Sequence, residues 1–217
     1  MLASFYFGLG LVIKLFLLLT PFFVLSVFVT ACNDMEHDSR RKLALRTGFA
    51  VICACLVLYL FGEIIFECLG ISLNAFRIGA GLVLMLNGID MVRSALPKNR
   101  HLDDNSDPSV VPLAIPTTVG PGTIGTLLVM GASGAQRAAA MDYSRWVFTG
   151  IELVAIIFAG SGITAMLYYS ETLNRILKEK GVNILSKLTG MYIVALAAQI
   201  IFDGVCGFLH ITGSSSL

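Results

Sequence analysis

From Val110 to Ala132 the chain reads VVPLAIPTTVGPGTIGTLLVMGA, without a single charge. An uncharged run of that length crosses the ~30 Å hydrocarbon core of a bilayer if it is helical. Its first half makes a poor helix, because Pro112, Pro116, Gly120, Pro121 and Gly122 interrupt it. Each interior proline removes a backbone donor and clashes with the carbonyl four residues back. Irregular backbone survives at membrane depth only inside protein or beside a water-filled cavity. This stretch must therefore be surrounded by other elements. Pro121 suits the first position of a new helix, where its missing N–H would have lacked a partner anyway. The N–H groups of Gly122 and Thr123 would then sit at the positive end of a helix dipole. Secondary transporters use such half-helix N-termini to hold anionic groups. The plainer alternative is a kinked helix packed against its neighbours, which three prolines and a Gly-Pro-Gly fit less well.

The rest of the chain supplies the surroundings. It is 56% hydrophobic and only 13% charged, with a mean hydropathy of +0.83, whereas soluble domains carry about 25% charged residues. An integral membrane protein is expected. The net charge of +1 and the lack of a basic block give no reason to expect a nucleic-acid partner. The first apolar run has no positive segment before it and reads as a retained span rather than a signal peptide. The cysteines are odd in number and include no C-x-x-C, which argues against a disulfide framework, a redox pair or a zinc site.

Six apolar stretches are bounded by charge or turn residues, at about 5–31, 43–68, 73–96, 110–132, 145–169 and 185–209. Residues 97–109, polar and proline-flanked, form a linker between a first half, 1–96, and a second, 110–217. The loops after the first, third and fifth spans hold Arg40, Arg41, Lys42, Arg46, Arg93, Lys98, Arg100, Arg175, Lys178, Lys180 and Lys187. The opposite side holds only Arg77, Arg137 and Arg145. The positive-inside rule then places both termini outside and the linker in the cytoplasm.

The halves repeat. Pro21 stands ten residues before Ala31, near the inner end of span one, and Pro121 ten before Gly131, near the outer end of span four. Ten helical residues rise ~15 Å, so both breaks approach the midplane, from opposite faces. Gly70 precedes Gly79 as Gly181 precedes Gly190, and Asp90 and Asp203 follow at similar distances. Two consecutive three-span repeats are necessarily inverted. The expected fold is all-α and polytopic: six transmembrane helices as two inverted three-helix repeats, with helices 1 and 4 broken near the midplane.

At this point the sequence resembles the MarC family of inner-membrane proteins. The match is carried by VPLAIPTTVGPGTI at 111–124, close to a family signature of PLAIP followed by GPG. The stretch GISLNAFRIGAGLVLMLNGIDM at 70–91 supports it, as does the six-span layout over nearly the whole chain. The resemblance implies ion-gradient-driven transport of small neutral amino acids such as glycine and alanine. The chain departs from the family pattern at Thr20, where many members carry Asn, and at Ala80, where glycine is expected. Substrate identity within that class stays open.

The substrate is expected between the two breaks, among Thr20, Pro21, Phe22 and Phe23 on one side and Ile115, Pro116, Thr117, Thr118, Val119, Gly120, Pro121, Gly122 and Thr123 on the other. The N–H groups of Gly122 and Thr123 would take its carboxylate. Carbonyls around Thr117 to Val119, with the Thr20 hydroxyl, would take the ammonium. Phe22, Phe23 and Ile115 would close the remaining volume to small side chains. On this reading Gly122→Ala would crowd the carboxylate while leaving folding intact. Lys14, Glu63, Glu152 and Asp203 all fall in the outer half by residue count. One cation among three acids suggests a proton-bearing carboxyl, so Glu152 and Asp203 are the ion-coupling candidates. No metal or organic cofactor is expected, the coupling ion being a proton or sodium. A channel for a small solute and a non-transporting membrane scaffold remain the alternatives; an enzyme is not expected, because no Ser/His pair or GxGD motif lies at depth.

Overall fold

The computed structural model describes residues 2–32, 35–93, 119–140 and 144–214. Helix α1 (Leu2–Leu18) and α2 (Pro21–Ala31) meet at a break where the sequence places a proline. Thr20 adopts φ 50° and ψ 55°, a left-handed conformation that β-branched residues rarely enter. The Thr20 N–H turns to the Leu17 carbonyl, and Val24 N–H to the Thr20 carbonyl restarts the ladder. Pro21 has no N–H to continue α1, so the axis bends by 42° at the junction.

Helix α3 (His37–Leu69) ends at Gly70, whose φ of 62° and N–H to the Phe66 carbonyl close the last turn. Helix α4 (Leu73–Arg93) follows after two residues. Beyond residue 118 come α5 (Pro121–Ala132), the short α6 (Gly134–Ala140), α7 (Arg145–Tyr168) and α8 (Ser170–Ser214), the last broken at Lys178 with φ 51° and ψ 166°. Among the described residues every element is helical.

Four helical segments are long and apolar enough to cross a membrane: His37–Gly62, Leu73–Arg93, Arg145–Tyr168 and Lys180–Leu209. The bent pair of Tyr6–Leu18 and Pro21–Ala31 passes the same test when taken together, as a broken span or a re-entrant loop. Four of the six expected spans thus correspond to such helices, or five if the bent pair is one span. Of the fourth, only α5 is described, and residues 110–118 lie outside the described residues. Alone, its 12 residues rise ~18 Å, about half a bilayer.

Small residues set the helix contacts. A β-carbon on Gly131 would lie 2.0 Å from the Tyr59 carbonyl oxygen, and one on Gly62 2.5 Å from that of Leu128, so α3 and α5 touch backbone to backbone. Gly81 meets Ala197 and Ile201, Gly88 meets Gly190 and Val194, and Gly204 meets Asn74. As the numbers rise on α4 they fall on α8, so these helices run antiparallel. The core between α1, α3, α5, α7 and α8 holds Leu18, Val51, Leu127, Ile163 and Leu167. Phe49, Leu86, Phe158 and Phe202 face outward, as lipid-facing residues do. Trp146, 85% exposed at the start of α7, suits a membrane–water interface.

Candidate functional site

The two breaks meet. The carbonyl of Leu18, whose usual helical donor is displaced at the break, accepts the Thr123 hydroxyl at 3.4 Å. Thr123 is buried in the first turn of α5, where Gly120 is the N-cap with ψ 170° and Pro121 takes the first position. The first intrahelical donor is Ile124, bonded to the Gly120 carbonyl, so the N–H groups of Gly122 and Thr123 precede the ladder. Val119 and Pro21 are buried at the same junction, and Thr20 makes no side-chain cap bond. Phe22 packs instead with Leu25, Met166 and Val182, and Phe23 is partly buried. Ile115, Pro116, Thr117 and Thr118 lie outside the described residues.

The space beside this junction is small. A void of about 10 Å³ is lined by Leu15, Leu18, Cys55, Thr123, Leu127 and Ile156. That is the scale of one water, not of an amino acid. Gly122 also has a packing role: a β-carbon there would lie 2.9 Å from the Leu84 α-carbon and 2.8 Å from its Cδ1. The expectation that Gly122→Ala leaves folding untouched is therefore corrected, because the added methyl collides with α4.

A second constellation lies near the far end of α5. Glu152, wholly buried on α7, pairs through Oε1 with Arg137 Nη1 at 2.7 Å. The Tyr59 hydroxyl donates to its other oxygen at 2.5 Å. Arg137 also donates through Nε to the Ser133 hydroxyl at 3.1 Å, and through Nη2 to the Met130 carbonyl, and lies 5.5 Å over the Phe148 ring. It thus caps the carbonyl end of α5, where a cation is favoured by the helix dipole. The expected surplus of acids is corrected here. Residue count places Arg137 in an outer loop, but it lies on α6 and its side chain reaches Glu152. Glu152 is thus matched by a cation rather than left in excess. Asp203 is exposed. The side chain of Glu63 lies outside the description.

Sequence reasoning missed Arg137, Tyr59 and Ser133. One signal was available: a lone arginine seven residues beyond Met130, near the end of a half-helix. At the other half-helix, Arg40 Nη2 donates to the Cys32 carbonyl at 2.6 Å, capping α2 in the same way. Arg40 also pairs with Glu171 at 2.7 Å, and His37 approaches the same carboxylate at 3.0 Å. The hydrogen bond from His37, then the charges of His37 and Arg40, hold the Glu171 carboxyl below the usual carboxylate range. A depressed folded-state pKa gives stability that is present above the unfolded value and is lost as pH falls through the folded one. Glu171→Gln is expected to flatten that part of the acid limb of a melting-temperature profile. An unchanged acid limb would remove this clamp from the stability of the α2–α3–α8 corner.

Comparison with known proteins decides the family. The family model described as MarC family integral membrane protein matches residues 5–209. The chain belongs to the MarC family. It is 29% identical over 194 residues to the inner membrane protein YhgN of Escherichia coli, covering 89% of this chain and 93% of that one. It is 30% identical over 204 residues to the membrane protein MJ1677 of Methanocaldococcus jannaschii, covering 90% and 94%. The inner membrane protein MarC of Escherichia coli is 28% identical over 211 residues, covering 91% and 93%. No solved structure matches this MarC-family chain. Its relatives are named as membrane proteins, not as enzymes.

Proposed function

We propose that this MarC-family protein is a secondary transporter of small neutral amino acids, working by alternating access across the inner membrane. The observation that carries this reading is the meeting of the two helix breaks at Thr123 and Leu18. There the first turn of α5, whose N–H groups precede its helical ladder, meets the carbonyl end of α1, and a zwitterion needs both kinds of group. Backbone dipoles can meet both its charges without a buried ionised side chain. The void of about 10 Å³ then belongs to a closed conformation, from which α1–α2 or α5 must move to admit substrate.

The neighbour pattern supports two inverted repeats. Helices α4 and α8 pair with each other, as do α3 and α7. Helix α3 packs on α5 as α7 packs on α1 and α2, and α4 packs on α5 as α8 packs on α2. Exchanging the first three spans for the last three leaves that list unchanged. The arginine caps on α2 and α5 follow the same exchange. Both termini lie outside on this reading, and the linker 97–109 lies in the cytoplasm, where the basic residues collect.

A proton or sodium gradient drives the cycle through Glu152 and Asp203. Glu152 changes partner strength with protonation, because a neutral carboxyl releases the Arg137 that holds α6 and the end of α5. The test is uptake into liposomes of a panel of neutral amino acids under imposed proton or sodium gradients. Saturable, gradient-driven uptake with trans-stimulation is expected for glycine or alanine. Conductance without trans-stimulation would identify a channel, and neither activity would identify a scaffold. Glu152→Gln or Asp203→Asn is expected to abolish concentrative uptake while sparing exchange, which need not release the ion. Full concentrative uptake by both variants would remove these residues from coupling.

A further inference from the structure

Between α3 and α7, away from the helix breaks, runs an open groove of about 650 Å³. Leu45, Phe49 and Ile52 form one wall, and Thr164, Ala165 and Tyr168 form the other. The helices touch along its floor because Gly48 lies against Thr164 and Gly160 against Ile52. The Thr164 hydroxyl donates to the Gly160 carbonyl at 2.8 Å, so it presents no free donor to the groove. Leu45 and Phe49 are exposed, which puts the groove on the outside of the bundle, where acyl chains lie.

One end of this apolar channel is cationic. Arg41 precedes Leu45 by one turn on the same stripe of α3, and its guanidinium lies 5.0 Å over the Tyr168 ring. Unlike Arg40 and Arg137, it forms no ion pair among the described residues, and its buried Nε has no hydrogen-bond partner. Lys42 and Arg46 are exposed nearby on α3, with Glu36 and Asp38 exposed at its start. Glu171, on α8 at this corner, is held by Arg40 and His37.

We propose that the groove between α3 and α7 seats one acyl chain of an anionic phospholipid, whose phosphate lies on Arg41. An apolar trough ending at an unpaired guanidinium fits a molecule with a hydrocarbon chain and an anionic head on one end. A zwitterionic head would bring its ammonium against Arg41, Lys42 and Arg46. Tyr168, stacked under Arg41, fixes the cation at the head-group level, and the tyrosine itself belongs at that interface. The site is independent of the transport reading and needs no residue of the junction between the breaks.

The full chain, purified in detergent, is titrated with dioleoyl phosphatidylglycerol, dioleoyl phosphatidylethanolamine or glycerol 3-phosphate, and binding is read by native mass spectrometry and melting temperature. Phosphatidylglycerol is expected to bind at least tenfold more tightly than phosphatidylethanolamine, and glycerol 3-phosphate to give no stabilisation. Arg41→Ala is expected to weaken phosphatidylglycerol binding at least tenfold, and Arg41→Lys to retain most of it. Ala165→Phe, at an exposed position, fills the trough and is expected to lose the lipid with Arg41 intact. Equal affinity for the two lipids, or unchanged binding by Arg41→Ala or Ala165→Phe, overturns the proposal. So does stabilisation by glycerol 3-phosphate alone. A lipid-independent dimer that Ala165→Phe dissociates would show that a second copy of the chain fills the groove, and overturns it equally.

Discussion

Arg137→Ala is expected to destabilise the folded protein by about 3 kcal/mol or more, the usual result of removing one partner of a buried ion pair. The magnitude follows from the asymmetry of the pair. Glu152 is wholly buried while the Arg137 side chain is 30% exposed, so the arginine can be lost to alanine without stranding a cation. The carboxylate cannot leave. It must then remain ionised beside only the Tyr59 hydroxyl or take up a proton, and either state costs free energy. Loss of Arg137 also uncovers the Met130 carbonyl at the end of α5. Glu152→Gln is expected to be milder, because its amide oxygen can still accept from Tyr59 and the freed arginine keeps Ser133 and Met130. The double variant Arg137→Ala/Glu152→Gln should therefore be more stable than Arg137→Ala alone. That inequality, read from thermal unfolding in detergent, isolates the pair. If Arg137→Ala melts with the parent chain, or the second substitution adds its full cost, the pair is not what holds α6 and α5 to α7.

The parts of this molecule that were legible in the sequence are those imposed by covalent chemistry and bilayer thickness. Pro21 and Pro121 cannot donate to a helical ladder, so helices begin at both. Gly70 carries the positive φ that ends α3. Span five was placed almost to the residue, since Arg145 and Tyr168 bound an apolar run in which Glu152 is the only charge. The failures have a common physical origin. Counting ~1.5 Å per residue treats each segment as a straight rod, so it sends Arg137 into an outer loop. The chain instead breaks at Ser133 and continues as α6, from which Arg137 reaches Glu152 and the end of α5. Hydropathy reports where hydrocarbon lies, not where a helix starts, which is why α3 extends back to His37 rather than starting near Leu43. Tyr59 looked like one apolar residue among many. Its role depends on Glu152, which is remote in sequence and adjacent only after α3 and α7 pack. The same is true of Leu84, which turns Gly122 from a free backbone site into a helix contact.

That contact fixes how the junction of the two breaks must be tested. Gly122→Ala places a methyl 2.9 Å from the Leu84 α-carbon, and overpacking of this kind costs about 1–3 kcal/mol. A fall in uptake by that variant would report displaced helices as readily as a crowded carboxylate. Thr123→Val separates the two. Valine keeps the β-branched shape against Leu18 and Leu127 and removes only the hydroxyl that donates to the Leu18 carbonyl. At 3.4 Å that bond is long, so its loss is expected to cost no more than about 1 kcal/mol of stability. On the transport reading the hydroxyl holds the carbonyl end of α1 in register with the N–H end of α5. Substrate affinity should then fall at least tenfold, about 1.4 kcal/mol, in a protein that still inserts and melts near the parent temperature. Gly122→Ala should show the opposite balance, a large loss of melting temperature together with any loss of uptake. If Thr123→Val transports with unchanged affinity, the substrate does not sit between the breaks, and Gly120-Pro121-Gly122 serves only to seat α5 against α4.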